Sequence, residues 1–125
     1  MRSIKPYLRR TVVRSTTAIR HQVVFRFPRI APGQSVTTDA FRARHHVTHG
    51  EIIVTQKRAS GSRSLPVVRY QLVDASTGRA VTNSVIVTGS RTVVLPFVVP
   101  HGRFRLRITN RGRGSVSVRG TILVF

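Results

Sequence analysis

Residues 102–125 read GRFRLRITNRGRGSVSVRGTILVF. Phe104, Leu106 and Ile108 alternate with Arg103, Arg105, Arg107 and Thr109. On an extended chain a period of two places the apolar set on one face and the arginines on the other, the pattern of a half-buried strand. Asn110-Arg111-Gly112-Arg113-Gly114 carries turn chemistry, and Val116, Val118, Ile122 and Val124 continue a buried face. The segment reads as a β-hairpin that closes the chain.

The same alternation recurs upstream. In residues 17–27, TAIRHQVVFRF, Ile19, Val23, Phe25 and Phe27 share a face with His21, while Arg20, Gln22, Val24 and Arg26 share the other. Pro32-Gly33-Gln34-Ser35 is a turn, and strands are expected at about 35–44 and 50–57. After the loop ASGSRS at 59–64, Val68, Tyr70 and Leu72 alternate with Arg69 and Gln71. Asp74–Gly78 turns, a strand returns at about 79–88, and TVVLPFVV at 92–99 is apolar on both faces. Such a strand is central or meets a partner, and Pro96 within it points to an edge or a bulge, since proline gives a ladder no donor. Seven to nine short strands with regular turns and no helical period give an all-β chain: a small antiparallel β-sandwich or jelly-roll-like domain at 17–125, preceded by a basic extended arm at 1–16. Pro6 breaks any long helix in that arm, and Thr11–Arg14 is a possible short strand.

The 125 residues suffice for one domain with a real core, and 40% are apolar. Valine dominates, as suits a pleated surface. Charge is the strongest compositional fact. Twenty-two Lys and Arg, twenty of them Arg, stand against three acids, for a net charge of +19. Residues 1–30 hold eight cations and residues 91–125 seven, with no acid in either stretch. A field of this sign attracts polyanions and repels copies of itself. Cysteine is absent, so there are no disulfides and no thiolate metal sites. The basic N-terminus lacks the apolar core of a secretory signal, and no apolar run is long enough to cross a bilayer as a helix. A place in a particle or at a cell surface stays open.

Residues 100–125, with Pro32-Gly33-Gln34-Ser35-Val36, resemble the closing hairpin and turn of many small bacterial and viral β-sandwich modules, in which Pro-x-Gly, an aromatic, an alternating strand, Thr-Asn-x-Gly and a Ser/Val strand follow one another. The resemblance covers about a quarter of the chain and implies a fold without a function. Where those modules carry Thr, Ser or Asp, this chain carries Arg. Small viral coat proteins also combine a basic arm with a β-sandwich, although 125 residues is short for an eight-stranded capsid jelly roll.

Few groups are available for catalysis. The carboxylates are Asp39, Glu51 and Asp74, scattered among strands and turns, and there is neither a Gly-x-Ser-x-Gly elbow nor a phosphate loop. His45, His46 and His49, near Glu51, form the one metal-like spacing, weak without a defined scaffold. No enzyme activity, metal or cofactor is expected. Guanidinium is the better phosphate clamp because its planar fork donates two bonds at once. The candidate polyanion-binding residues are Arg9, Arg10, Arg14, Arg20, Arg26, Arg103, Arg105, Arg107, Arg111, Arg113 and Arg119. If the terminal strands are neighbours, Arg20, Arg26, Arg103, Arg105, Arg107 and Arg119 form one basic sheet face. Phe25, Phe27 and Phe104 read as buried, so binding is expected to be electrostatic rather than base-specific. Thr11, Val12, Val13, Pro96, Leu123 and Phe125 are the candidate assembly residues, the first three as a strand added to a neighbour's sheet. The expectation is a structural subunit that assembles with copies of itself into a coat, capsid or fibre and contacts a polyanion, nucleic acid first among them. The alternative is a sequence-nonspecific nucleic-acid-binding module.

Overall fold

The computed structural model describes residues 4–9, 19 and 21–125. Among the described residues there is no helix. The strands are β1 (Tyr7–Leu8), β2 (His21–Ile30), β3 (Ser35–Thr37), β4 (Phe41–Ala43), β5 (Thr48–Arg58), β6 (Val67–Asp74), β7 (Val85–Thr88), β8 (Arg91–Val99), β9 (Gly102–Asn110) and β10 (Val116–Val124). They form two antiparallel sheets. The first, sheet A, has the order β1-β8-β5-β10-β2; the second, sheet B, has the order β3-β9-β6-β7, with β4 also paired to β9. From β2 onward, all links except β3–β4 and β6–β7 pass from one sheet to the other. This is the winding of an eight-stranded jelly roll, with β3 and β4 sharing one strand position and β1 added at an edge. The 125 residues are enough for it because most connections are short.

The inward residues of the two sheets form one core. Phe41 lies 5.4 Å from Phe97 and 5.9 Å from Phe104, ring centre to ring centre, while Leu72, Leu95, Leu106, Ile52 and Ile122 are fully buried. Two strand-interior glycines make room for rings. Gly50 pairs with Phe97 and Gly120 with Phe25, and a Cβ at either glycine would collide with the ring opposite. Two buried amides tie the sheets together. Gln56 of β5 accepts the Tyr70 hydroxyl of β6 at 2.8 Å and donates to the carbonyls of Val87 and Gly89, both at 2.8 Å. Burial pushes the Tyr70 hydroxyl far above its ordinary range, so it stays a donor. Asn110, at the end of β9, donates to the Ile30 carbonyl of β2.

The structure corrects several expectations. Residues 102–125 do not form a hairpin. β9 pairs with β3, β4 and β6, β10 pairs with β2 and β5, and residues 111–115 arch between the sheets. Two alternating strands bury the same residues whether they lie side by side or face each other, so alternation cannot separate hairpin from arch. Ile19 is 53% exposed and His21 is also exposed, because β2 starts at His21, opposite Val124 near the end of β10. Phe27 is only half-buried: β2 holds one extra residue between Phe27 and Ile30 opposite Val116–Val118, a bulge that contains Pro28. The strand expected at 79–88 is regular only over Val85–Thr88.

Pro96 sits where its missing donor does little harm. Its carbonyl accepts the Arg9 N–H at 2.8 Å, so its nitrogen also faces the β1 edge and not β5. Within the basic N-terminal stretch, Tyr7–Leu8 is thus a strand of its own sheet. Leu8 is buried, and its N–H and C=O both bond the Asn83 side chain. The short strand expected at Thr11–Arg14 lies outside the described residues.

Leu106→Ala is expected to cost about 2–5 kcal/mol in denaturant unfolding; a near-neutral value would mean that the site is not packed. Deleting residues 1–14 removes Leu8 from the core and strips Asn83 of its two bonds to Leu8. Stability is therefore expected to fall by about 2–5 kcal/mol, on the scale of losing a buried leucine.

Candidate functional site

The burial of Phe104, Leu106 and Ile108 forces Arg103, Arg105 and Arg107 onto the outer face of sheet B. Neighbouring strands add to that row. Arg42 of β4 is directly opposite Arg103, and β6 contributes Gln71 opposite Arg107 and Arg69 opposite Thr109. Five guanidiniums therefore stand on three adjacent strands, with steps of roughly 7 Å along β9. No Asp or Glu projects from this face; Asp39 lies at its edge, in the β3–β4 bend. Two of the arginines are positioned by neutral acceptors. Arg105 Nη1 donates to the Thr38 carbonyl at 3.0 Å, and Arg107 Nη2 donates to Gln71 Oε1 at 2.9 Å. These bonds orient the forks without neutralising them, and each guanidinium has further donors to offer.

The outer face of sheet A differs. Around Arg26 and Arg119, which face each other on β2 and β10, it presents Val24, Ile53, Thr55, Thr121 and Leu123, with Val24 69% exposed. The single basic sheet face therefore divides: Arg103, Arg105 and Arg107 belong to sheet B, and Arg26 and Arg119 to sheet A. The physical reason is the arch, which sends β10 to the opposite sheet from β9. Arg111 and Arg113 stand exposed on that arch. Arg9 is stacked over the Tyr7 ring at 4.7 Å. Arg10, Arg14 and Arg20, and the assembly residues Thr11, Val12 and Val13, lie outside the described residues. Arg42 and Arg69 were legible in the alternations Phe41-Arg42-Ala43 and Val68-Arg69-Tyr70 but went unassigned.

Of the remaining assembly candidates, Pro96 and Leu123 are half-buried on the outer side of sheet A. Phe125 instead lines a cavity of about 430 Å³ at the seam between β2 and β4, with His21, Arg42, Arg44, His45 and Thr48. His45, His46 and His49 do not converge: among the described residues no group of three His, Cys, Asp or Glu is arranged to hold a metal. His45 faces the seam cavity, while His49 is exposed on β5. The carboxylates are equally dispersed. Glu51 is buried in sheet A, Asp39 is exposed, and Asp74 caps its own turn by accepting the N–H groups of Ser76 and Thr77 at 2.8 and 3.0 Å.

No protein-family model matches the chain, and no curated protein matches it in sequence. Among solved structures, the fold is similar to a chain in the crystal structure of the T13 IBDV viral particle, reported as a missing link in icosahedral virus evolution. The TM-score is 0.50 at 17% identity, over 98% of this chain and 31% of that one. The likeness is one of fold, and this chain spans about a third of that chain's length.

The turn bonds from Thr77 and Ser76 hold the Asp74 carboxyl below its usual range. Its contribution to stability is complete above the ordinary Asp value of about 3.9 and is lost as pH falls through the lowered folded value. A carbon-detected NMR titration is expected to place Asp74 below that ordinary value; a midpoint at or above it would contradict the capping geometry.

Proposed function

We propose that this chain is a non-enzymatic structural subunit that assembles with copies of itself into a coat or shell and turns the arginine face of sheet B toward a polyanion, nucleic acid before others. The observation that carries the reading is the unequal chemistry of the two outer faces. One presents five guanidiniums, two of them held by hydrogen bonds, and the other presents Val, Ile, Thr and Leu side chains around Arg26 and Arg119. The first suits phosphates, which guanidinium forks grip in pairs. The second suits contact between protein surfaces, where charge is depleted at the core of an interface. The jelly roll shared with a viral-particle chain supports a role in a coat. At +19, free subunits repel one another, and a bound polyanion offsets that repulsion.

A second reading, a monomeric or dimeric nucleic-acid-binding module, uses the same arginine face and differs only in self-association. Sedimentation of the purified chain in high salt, after nuclease treatment, separates the two. A coat subunit gives large species once salt screens the repulsion; a monomer or dimer throughout would favour the module.

Replacing Arg103, Arg105 and Arg107 with Gln is expected to flatten the log–log salt dependence of duplex binding by up to about three units, at roughly 0.9 per lost phosphate contact. Binding should be indifferent to sequence. An unchanged slope would remove the sheet B face from the interface.

A further inference from the structure

The cationic surface continues past the sheet face onto one end of the sandwich. At that end the last residues of β2 and β5, the loop 59–66, the start of β8 and the arch 111–115 come together. They bring Arg29, Arg58, Arg63, Arg91, Arg111 and Arg113, all exposed. No acid occurs in residues 28–38, 56–68, 88–92 or 109–117, from which this end is built. Asp74 and Glu51 lie toward the other end. Arg111, one residue past the end of β9 and bonded through its N–H to the Val67 carbonyl, follows Arg103, Arg105, Arg107 and Thr109 in the same alternation.

This end is a knitted platform, centred on Asn110, which is fully buried. Its side-chain nitrogen donates to the carbonyls of Ile30 and Gly114, and its side-chain oxygen accepts from Gly112 N–H. Its backbone bonds Gly33 and Gln34 in the β2–β3 turn. The arch is further tied to the 59–67 segment by Ala59 N–H to Ser115 O and Arg111 N–H to Val67 O. Arg29 Nη1 donates to the Ser60 carbonyl at 3.0 Å. Gly114 packs so closely on this loop that a Cβ there would collide with Ser62 Oγ and Ser64 Cβ. Segments that carry these arginines are therefore held together before any ligand arrives, which lowers the ordering cost of binding.

We infer that this loop end is a preorganised seat for the phosphodiester backbone of a nucleic acid, contiguous with the arginine row of β9. A single strand entering along β9 meets its densest phosphate contacts here. The inference rests on the proposed polyanion role and adds where the strand is held. Arginine supplies six of the seven exposed cations in these segments, Lys57 being the seventh, and bidentate recognition of phosphate favours arginine.

The test measures binding of a mixed-sequence single-stranded DNA oligonucleotide to the whole chain across a salt series. Four proteins are compared: the unaltered chain; a platform variant with Arg58, Arg63, Arg111 and Arg113 each changed to Gln; an equal-charge control with Arg26, Arg44, Arg79 and Arg119 changed to Gln; and Gly114→Ala, which keeps every charge. The platform variant should lose about three units of salt slope, at roughly 0.7 per phosphate, and the control should keep most of it. Gly114→Ala should weaken binding several-fold without a change in net charge. If the two Gln sets lose binding equally, net charge alone acts and the inference is overturned. A platform variant that binds like the unaltered chain also overturns it, leaving the sheet face as the interface. If the unaltered chain binds neither an oligonucleotide nor a sulfated polysaccharide at any salt, the polyanion role itself fails; binding of the polysaccharide alone would overturn the inference by showing that the polyanion is not a nucleic acid.

Discussion

The period-two alternation of β9 is the constraint on which the rest depends. Its inward residues, Phe104, Leu106 and Ile108, are buried between the two sheets. Once they are inside, the pleat leaves Arg103, Arg105 and Arg107 nowhere to go but the outer face of sheet B. A register slip of one residue would reverse both sets and bury three charges, at a cost no small sandwich could bear. The strand that holds the core together is thus also the strand that sets the spacing of the cationic row.

Around that strand the jelly roll divides its surface. β9 lies inside sheet B, flanked by β6 on one side and by β3 and β4 on the other, so its row gains Arg42 and Arg69 from its neighbours. The chain then crosses through the arch to β10 in sheet A, where the outward positions are Ser117, Arg119, Thr121 and Leu123. Asn110 stands at the crossing. One buried amide joins β9 to β2 and shapes the arch that carries Arg111 and Arg113. Packing, the link between sheets and the placement of charge therefore share the same few residues. Gln56 and Tyr70 tie the two sheets together through the core in the same way, with every side-chain polar atom partnered.

Much of this was legible in the sequence. The all-β class, the sandwich and the inward residues of β6, β9 and β10 follow from alternation, and the turn at Asp74–Gly78 from its Asp and Gly. What alternation could not convey was pairing. Phe104 and Val116 point inward in a hairpin and in an arch alike, so the sequence reading put Arg26, Arg103 and Arg119 on one face when they belong to two. Ile19 and His21 fit the period but fall before and at the start of β2, and periodicity carries no information about where a partner strand stops. The bulge that half-exposes Phe27 was marked only by Pro28. The role of Tyr7–Leu8 was hidden because two residues are too few to show a period. The loop-end cations came from segments far apart in sequence, and only the fold assembles them.

The proposed role requires the outer face of sheet B to meet a polyanion. Photochemical cross-linking of bound single-stranded nucleic acid, with the linked peptides identified by mass spectrometry, addresses this directly. Cross-links are expected to concentrate in β6, β9, the loop 59–66 and residues 111–115, with few in the middle of β2, β5 and β8. Cross-links confined to β2, β5 and β8, with β9 unmarked, would contradict that role.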